Sequence, residues 1–571
     1  MKNKTARSKR TAFLALALST SVASFCVTLQ TPAVARTHGR AGHSASHSSS
    51  HTSTHSVVHT STRSHAGGRT SRSTAVANVG SFALAVDSWL KRPEITHSRV
   101  GVEVMELPSG RVLYSHEGEK RLTPASTAKV LTTSCAYELL GGNFQYKTTI
   151  NGTGPVAGGV LKGNLILEPS QDPTFSRSDL MRLVDDLKNG RGATGERVSQ
   201  VDGHVFVGGP VEGRESFQPT WLSEDFGQDW MPASSSLVID RNIAFVSGFP
   251  KQFKVSEDRS TGYALLDSLL TSGEASSWVS FDAATGTFHI FRGSAFSPSG
   301  GYDPAIKRDG PFVVANPDAF NQAIFQGVLA DHGIASGGAH HEKNESRALA
   351  EHLSKPLSSI VKYCLYESDN LYAQQLLRSI GYTTLGTGSP SGGKSAKTVS
   401  LSLEERGLNR MGAWLSSIGV PNQQVVLFDG CGLSRKDCLS PHALNLVLKH
   451  MAGPEVNSPY LSLMHQSGGK DGSGRFNMKT GAMDTVRGIT GVLTNFSGQH
   501  VAVTAIINGH TPSVKNVRMA LGDLIERLKR VQIPATARTA ADSQGSAVAT
   551  AGAAVGTSAN DAVSAAGSTQ K

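Results

Sequence analysis

The chain has no acidic residue before Asp87, only five cysteines in 571 residues, and no run in its body long and apolar enough to cross a bilayer. Each scarcity excludes something. Basic residues outnumber acidic ones by 55 to 45, an excess that would fit a nucleic-acid partner. Ten of the basic residues, from Lys2 to Arg72, precede Asp87, so the remainder carries 45 of each sign. The basicity belongs to the leader, and the neutral body argues against nucleic-acid binding. The few cysteines lack metal-ligand spacing and no His-Glu-x-x-His occurs, so neither a metal nor any other cofactor is expected. An apolar fraction of 38% and a charged fraction of 18% exclude a coiled coil, a collagen and a multi-span membrane protein.

Residues 1–35 read as a signal peptide. Lys2 to Arg10 form a basic segment, Phe13 to Val27 an apolar one, and Ala33-Val34-Ala35 a small-x-small cleavage site. Phe25, next to Cys26, argues against a lipoprotein site. Export is therefore expected: to the periplasm, or to the cell surface or medium where there is no outer membrane, with at most peripheral membrane association. Residues 36–79 form a Ser/His-rich linker with too little to bury to offset its ordering entropy. His43, His47, His51, His55 and His59 recur every four residues. The surrounding Ser and Thr disfavour the helix such a stripe would need, so a solvated linker is preferred to a metal- or pH-responsive tract. Residues 534–571 are a second low-complexity segment, rich in Ala, Gly, Ser and Thr.

Between these segments the patterns predict an α/β fold. Helices are expected over 81–91, 126–140, 317–331, 357–366, 370–380 and 513–530. Strands are expected over 100–107, 111–114, 161–168, 200–207, 237–247, 278–292, 488–495 and 500–508. Strands near both ends of the body, with a β-rich middle, imply one α/β domain whose sequence is interrupted. Cys431 and Cys438 bracket a short loop and could pair, whereas Cys135 and Cys364 fall on helices as buried thiols.

Ser126-Thr127-Ala128-Lys129 follows Pro124 at a helix start. Three residues along a helix brings Ser126 and Lys129 to one face, where a partly desolvated lysine can act as base for a serine hydroxyl. Ser-x-x-Lys occurs six times in the chain, and context selects this copy. Ser368-Asp369-Asn370 lies between two helical runs. Lys479-Thr480-Gly481 precedes strands, where Lys and Thr can hold a carboxylate and Gly permits close backbone approach. The order Ser-x-x-Lys, Ser-x-Asn, Lys-Thr-Gly in an exported protein resembles the penicillin-binding protein and serine β-lactamase superfamily.

The spacing narrows the resemblance. Ser126 and Ser368 are 242 residues apart, and Ser368 and Lys479 are 111 apart. So long a first gap must hold whole domains. The chain resembles the D-alanyl-D-alanine carboxypeptidase/endopeptidase family, the class C low-molecular-mass penicillin-binding proteins typified by penicillin-binding protein 4 (peptidase family S13). Gln171-Asp172-Pro173-Thr174, Ile239-Asp240-Arg241-Asn242 and Asp429-Gly430-Cys431-Gly432-Leu433-Ser434-Arg435 are similar to segments of that family. Two of the residues depart from it: Cys431 replaces a serine, and Asp484 stands where a small polar residue is expected. The resemblance implies a transpeptidase-like catalytic domain in two parts, 80–150 and 346–533, with two inserted β-rich domains at 151–345.

It also implies the chemistry. Ser126 would attack the D-alanyl carbonyl, Lys129 would accept its proton, and the N–H groups of Ser126 and Ala482 would form the oxyanion hole. Ser368 would relay a proton, Asn370 would position the acyl donor, and Lys479 with Thr480 and Gly481 would bind the terminal carboxylate. Asp225, four residues after Trp221, and Arg435 are further candidates for substrate contact. The implied partners are peptidoglycan stem peptides and, as acylating inhibitors, β-lactam antibiotics. The alternatives are a serine β-lactamase, which shares the motifs, and a catalytically silent wall-binding protein.

Overall fold

The structure, a computed structural model, describes residues 81–533 apart from 209–216, 248–253, 256–264, 272–277, 283–286, 293–309, 340–344, 383–400, 470–472 and isolated positions at 193, 223, 224, 226, 227, 229, 232, 315 and 512; between 244 and 313 only the backbone is described. The signal, linker and tail expected at the two ends lie outside these residues, as does Cys26.

The central sheet draws its strands from both ends of the body. Its order is His465–Ser467, Phe476–Met483, Val486–Thr494, His500–Asn508, Arg99–Leu107 and Val112–His116. All neighbours are antiparallel. Alternation along each strand assigns side chains to two different layers. Val100, Val102 and Val104 join Val501, Val503, Ala505 and Ile507 under the helices Phe82–Leu90 and Val514–Leu528. Met105 and Leu107 join Ala502 and Ile506 on the opposite face, beneath a layer of helices. With both faces covered, Arg99–Leu107 is buried along nearly its whole length.

That second layer is built round the helix Lys129–Leu140, whose residues 129–136 are all buried. A helix buried all round needs no amphipathic stripe. Leu357–Glu367, Asn370–Tyr382, Leu403–Ser417 and Pro441–Ala452 surround it. The middle of the chain has its own core of Ile150, Leu165, Leu167, Phe175, Leu183, Val184 and Ile324, under the helices Arg177–Asn189 and Pro317–Asp331. Among the described residues, four small sheets lie between Lys147 and Leu353.

Four expected elements are corrected. The strand expected at 161–168 is two, Val160–Leu161 and Leu165–Glu168, parted at a turn that includes Gly163. The one at 200–207 is likewise broken at Gly203, where a Cβ would meet the Gly163 carbonyl. The segment 278–292 is an antiparallel pair, Trp278–Asp282 with Thr287–Arg292. Residues 237–242 are not strand: the chain turns at Asp240–Asn242 before Ile243–Ser247 begins. Cys135, Cys364, Cys431 and Cys438 are all free thiols. Cys431 points into the core while Cys438 sits in a two-residue strand against Val426, so the bracketing pair does not close.

Candidate active site

The chain enters the site under tight backbone control. Leu122 exchanges hydrogen bonds with Leu439, and the Asn508 amide both donates to the Thr123 carbonyl and accepts from its N–H. Ala125–Ala128 then form a 3-10 turn, and the α-helix begins only at Lys129. The single helix expected from Ser126 therefore starts one turn later, but Ser126 and Lys129 still meet. The Lys129 ammonium nitrogen Nζ lies 2.9 Å from Ser126 Oγ, 2.6 Å from Asn370 Oδ1 and 2.7 Å from the Cys431 carbonyl oxygen. Asn370 Oδ1 and the carbonyl can only accept. They take two N–H groups of the amine, whose third direction faces the serine hydroxyl.

Ser368 and Asn370 flank the buried Asp369. Ser368 ends the helix Leu357–Glu367 in the left-handed region, with φ 58°, and Asn370 opens the next helix. Asp369 Oδ1 accepts from Tyr372 N at 3.0 Å, an N-cap bond that fixes the start of that helix. Asn370 also donates Nδ2 to the Trp230 carbonyl at 2.6 Å.

Lys479 Nζ donates to Ser368 Oγ and to the Thr480 carbonyl, each at 2.7 Å. Burial, reinforced by the charge of Lys129, pushes its pKa down to about 7. Two lysines in one dry cleft cannot both ionise at no cost. Gly481 faces the nucleophile turn: a Cβ there would lie 2.7 Å from the Pro124 carbonyl oxygen and 3.1 Å from Ser126 N. The glycine is required by the turn that presents Ser126, a reason absent from the sequence reading. Thr480 and Ala482 are exposed. The neighbouring strand His465–Ser467 pairs only with residues 476–478, so among the described residues no strand covers this edge from Lys479 onward.

The loop after Phe428 is organised by one carboxylate. Asp429, fully buried, accepts from the N–H groups of Cys431, Gly432, Leu433 and Ser434 and from the Trp221 indole. The result aims the Cys431 carbonyl at Lys129. The sequence flagged this stretch by resemblance and did not reveal that role. Burial together with the charge of Asp429 holds the neighbouring Asp437 carboxyl well above the usual carboxylate range. Arg435 forms an ion pair with the exposed Asp484 at 2.5 Å, so the candidate contact residue and the unexpected acid occupy each other. Asp225 is half-buried on the segment between Trp221 and Trp230. The structure brings Ser126, Lys129 and Asn370 together directly, and Ser368 with Lys479. Arg435 is joined instead to Asp484.

A covered sheet beside a buried helix, with a serine–lysine pair at the helix foot and a second lysine on the facing strand, is the fold of a penicillin-binding protein. Residues 82–528 match the D-Ala-D-Ala carboxypeptidase 3 (S13) family, and the chain belongs to that family. A D-alanyl-D-alanine carboxypeptidase DacB of Haemophilus influenzae is 25% identical over 517 residues, covering 81% of this chain and 96% of the relative. A D-alanyl-D-alanine carboxypeptidase of an Actinomadura species is 26% identical over 484 residues, covering 79% and 86%. The crystal structure of penicillin binding protein 4 from Haemophilus influenzae shares the fold, with a TM-score of 0.60 at 21% identity over 78% of this chain and 98% of that one.

Proposed function

We propose that the protein is an exported serine-type D-Ala-D-Ala carboxypeptidase and DD-endopeptidase that hydrolyses peptidoglycan stem peptides and crosslinks through an acyl-enzyme on Ser126, and that penicillin inhibits it by forming a stable counterpart of that intermediate. The observation that carries the reading is Lys129 Nζ at 2.9 Å from Ser126 Oγ with its other two positions occupied by acceptors. Family membership supports the substrate class, and relatives named for the carboxypeptidase activity support it further.

In this reading Ser126 Oγ attacks the penultimate D-alanyl carbonyl as Lys129 takes its proton. The N–H groups of Ser126 and Ala482 receive the oxyanion, each lowering the barrier by about 3 kcal/mol. Lys479 in its charged form, with Thr480, binds the terminal carboxylate. The peptide runs along the uncovered edge past Gly481 as an added strand. Ser368, bonded to Lys479, passes a proton to the leaving amine as the C–N bond breaks and is reprotonated by the proton that Lys129 took from Ser126, which leaves Lys129 neutral for the second half of the reaction. Water then attacks the ester, its proton returning through Lys129 to Ser126. A free D-alanine leaving group makes the reaction carboxypeptidase; the side-chain amine of a neighbouring stem makes it endopeptidase. Residues 151–345 are read as inserted domains flanking this cleft, with Asp225 reaching toward the substrate from that side.

The test is mass spectrometry of muropeptides after digestion by the wild type and by Ser126→Ala. Loss of terminal D-alanine reports one activity, and loss of dimers the other. Equal digestion by both proteins would overturn the reading.

A further inference from the structure

Asp240, Arg241 and Asn242 have φ of 48°, 63° and 54°. A run of three non-glycine residues in the left-handed region is strained, and such strain persists only where the surroundings over-determine it. Asn242 and Asp240 supply the restraint. Asn242 is fully buried, donates to the Ala233 carbonyl and Ser235 Oγ, and accepts from Asn321. Asp240 Oδ1 accepts from Arg177 N.

Arg241 sends its guanidinium away from the turn. Its Nη2 lies 2.5 Å from Asp369 Oδ2. Asp369 is the middle residue of Ser368-Asp369-Asn370, and its side chain is 4% exposed. Its other oxygen caps the helix that Asn370 opens. A carboxylate so buried needs a charge partner, and Arg241 provides one from a distant part of the sequence. Ser368 before it is itself left-handed, so the aim of Ser368 toward Lys479 and of Asn370 toward Lys129 both depend on where Asp369 is held.

We propose that Arg241 is a positioning residue: the strained Asp240–Asn242 turn exists to present it to Asp369, and through Asp369 it sets the directions of Ser368 and Asn370. The proposal rests on the roles given to those two residues under the proposed function. Without Arg241 the Asp369 carboxylate turns toward water, and the loop carrying Ser368 and Asn370 follows. The Arg241 side chain as a whole is 38% exposed, although its Nε is buried, so its replacement leaves the core intact.

The experiment compares wild type with Arg241→Gln, Arg241→Lys, Asp369→Asn and the double variant Arg241→Gln/Asp369→Asn. It measures acylation by a fluorescent penicillin, kcat and KM for release of D-alanine, and Tm. Misplacement of reacting groups by an ångström costs about 100-fold, so a partial release of the loop predicts a loss of about tenfold or more in Arg241→Gln. The loss falls on kcat and acylation with KM nearly unchanged, Arg241→Lys recovers most of it, and the double variant is no slower than the slower single one. Acylation of Arg241→Gln at the wild-type rate, or a loss that tracks Tm and is not recovered by lysine, overturns the proposal. Ser126→Ala runs in parallel. If wild type and Ser126→Ala label alike, the reading of the site fails and this proposal with it; if only Arg241→Gln behaves as wild type, this proposal alone fails.

Discussion

The Trp221 indole donates to Asp429 Oδ2 at 2.7 Å, and Asp429 in turn shapes the loop whose Cys431 carbonyl accepts from Lys129. A tryptophan far from the motifs in sequence is thus three hydrogen bonds from the residue read as the base. Asp429→Asn puts a donor where five N–H groups now converge. It is expected to lower the acylation rate by about 100-fold, since a shifted carbonyl releases Lys129 from its aim. Trp221→Phe removes one donor and is expected to lower the rate less. Stopped-flow acylation of the two variants checks the order.

Gly481→Ala drives a methyl group against the backbone carbonyl of Pro124, a neighbour that cannot rotate away. Acylation is expected to fall by about 100-fold or more with little change in Tm. Rates near wild type would mean that the turn bearing Ser126 yields freely.

Lys479 is held near pKa 7 by burial and by Lys129, and in the proposed mechanism its charged form binds the terminal carboxylate. The free enzyme loses that charge as pH rises through about 7, so kcat/KM is expected to decline above it. A bound carboxylate restores the charge, so the decline in kcat lies at higher pH. Arginine stays protonated throughout, and Lys479→Arg is expected to abolish the limb near neutrality. The same depression works on stability in the opposite sense: the unfolded chain holds this proton at pH values where the fold has shed it. Between about 7 and the ordinary lysine range, this lysine therefore makes the fold more stable as pH rises. Profiles of kcat/KM and Tm for the two proteins test both signs.

Arg378 and Glu404 form an ion pair with side chains 3% and 6% exposed, and Arg378 also holds Gln171. Arg378→Met strands the Glu404 carboxylate and is expected to cost about 3–5 kcal/mol. Arg378→Met/Glu404→Leu is expected to cost less than the single variant, because no charge is left unpaired. Chemical denaturation of both proteins decides the point.

The three motifs were legible in the sequence because each is a short run whose order carries information, and the structure brings their serine, lysine and asparagine groups within bonding distance. The helices Arg177–Asn189 and Leu403–Ser417 were missed, although Ser176 with Asp179 and Ser402 with Glu405 form capping boxes that announce both. Pro441–Ala452 likewise follows an N-cap serine and begins with proline. The left-handed turn at Asp240–Asn242 could not be anticipated from local preference, since none of the three is glycine; tertiary bonds to Asn242 impose it. The role of Asp429 was invisible for a similar reason: its donors come from a loop and from Trp221, and only folding makes them converge.

The pairing of Arg99–Leu107 with His500–Asn508 has a consequence in time. Ribosomes deliver the chain from its N-terminus, so the strand leading toward Ser126 waits roughly 400 residues for the partner that completes its sheet. Until then Lys129 has no Cys431 carbonyl to accept its hydrogen bond and no Lys479 beside it. A nascent or truncated chain is therefore catalytically silent, and the enzyme is armed only when its last strands arrive.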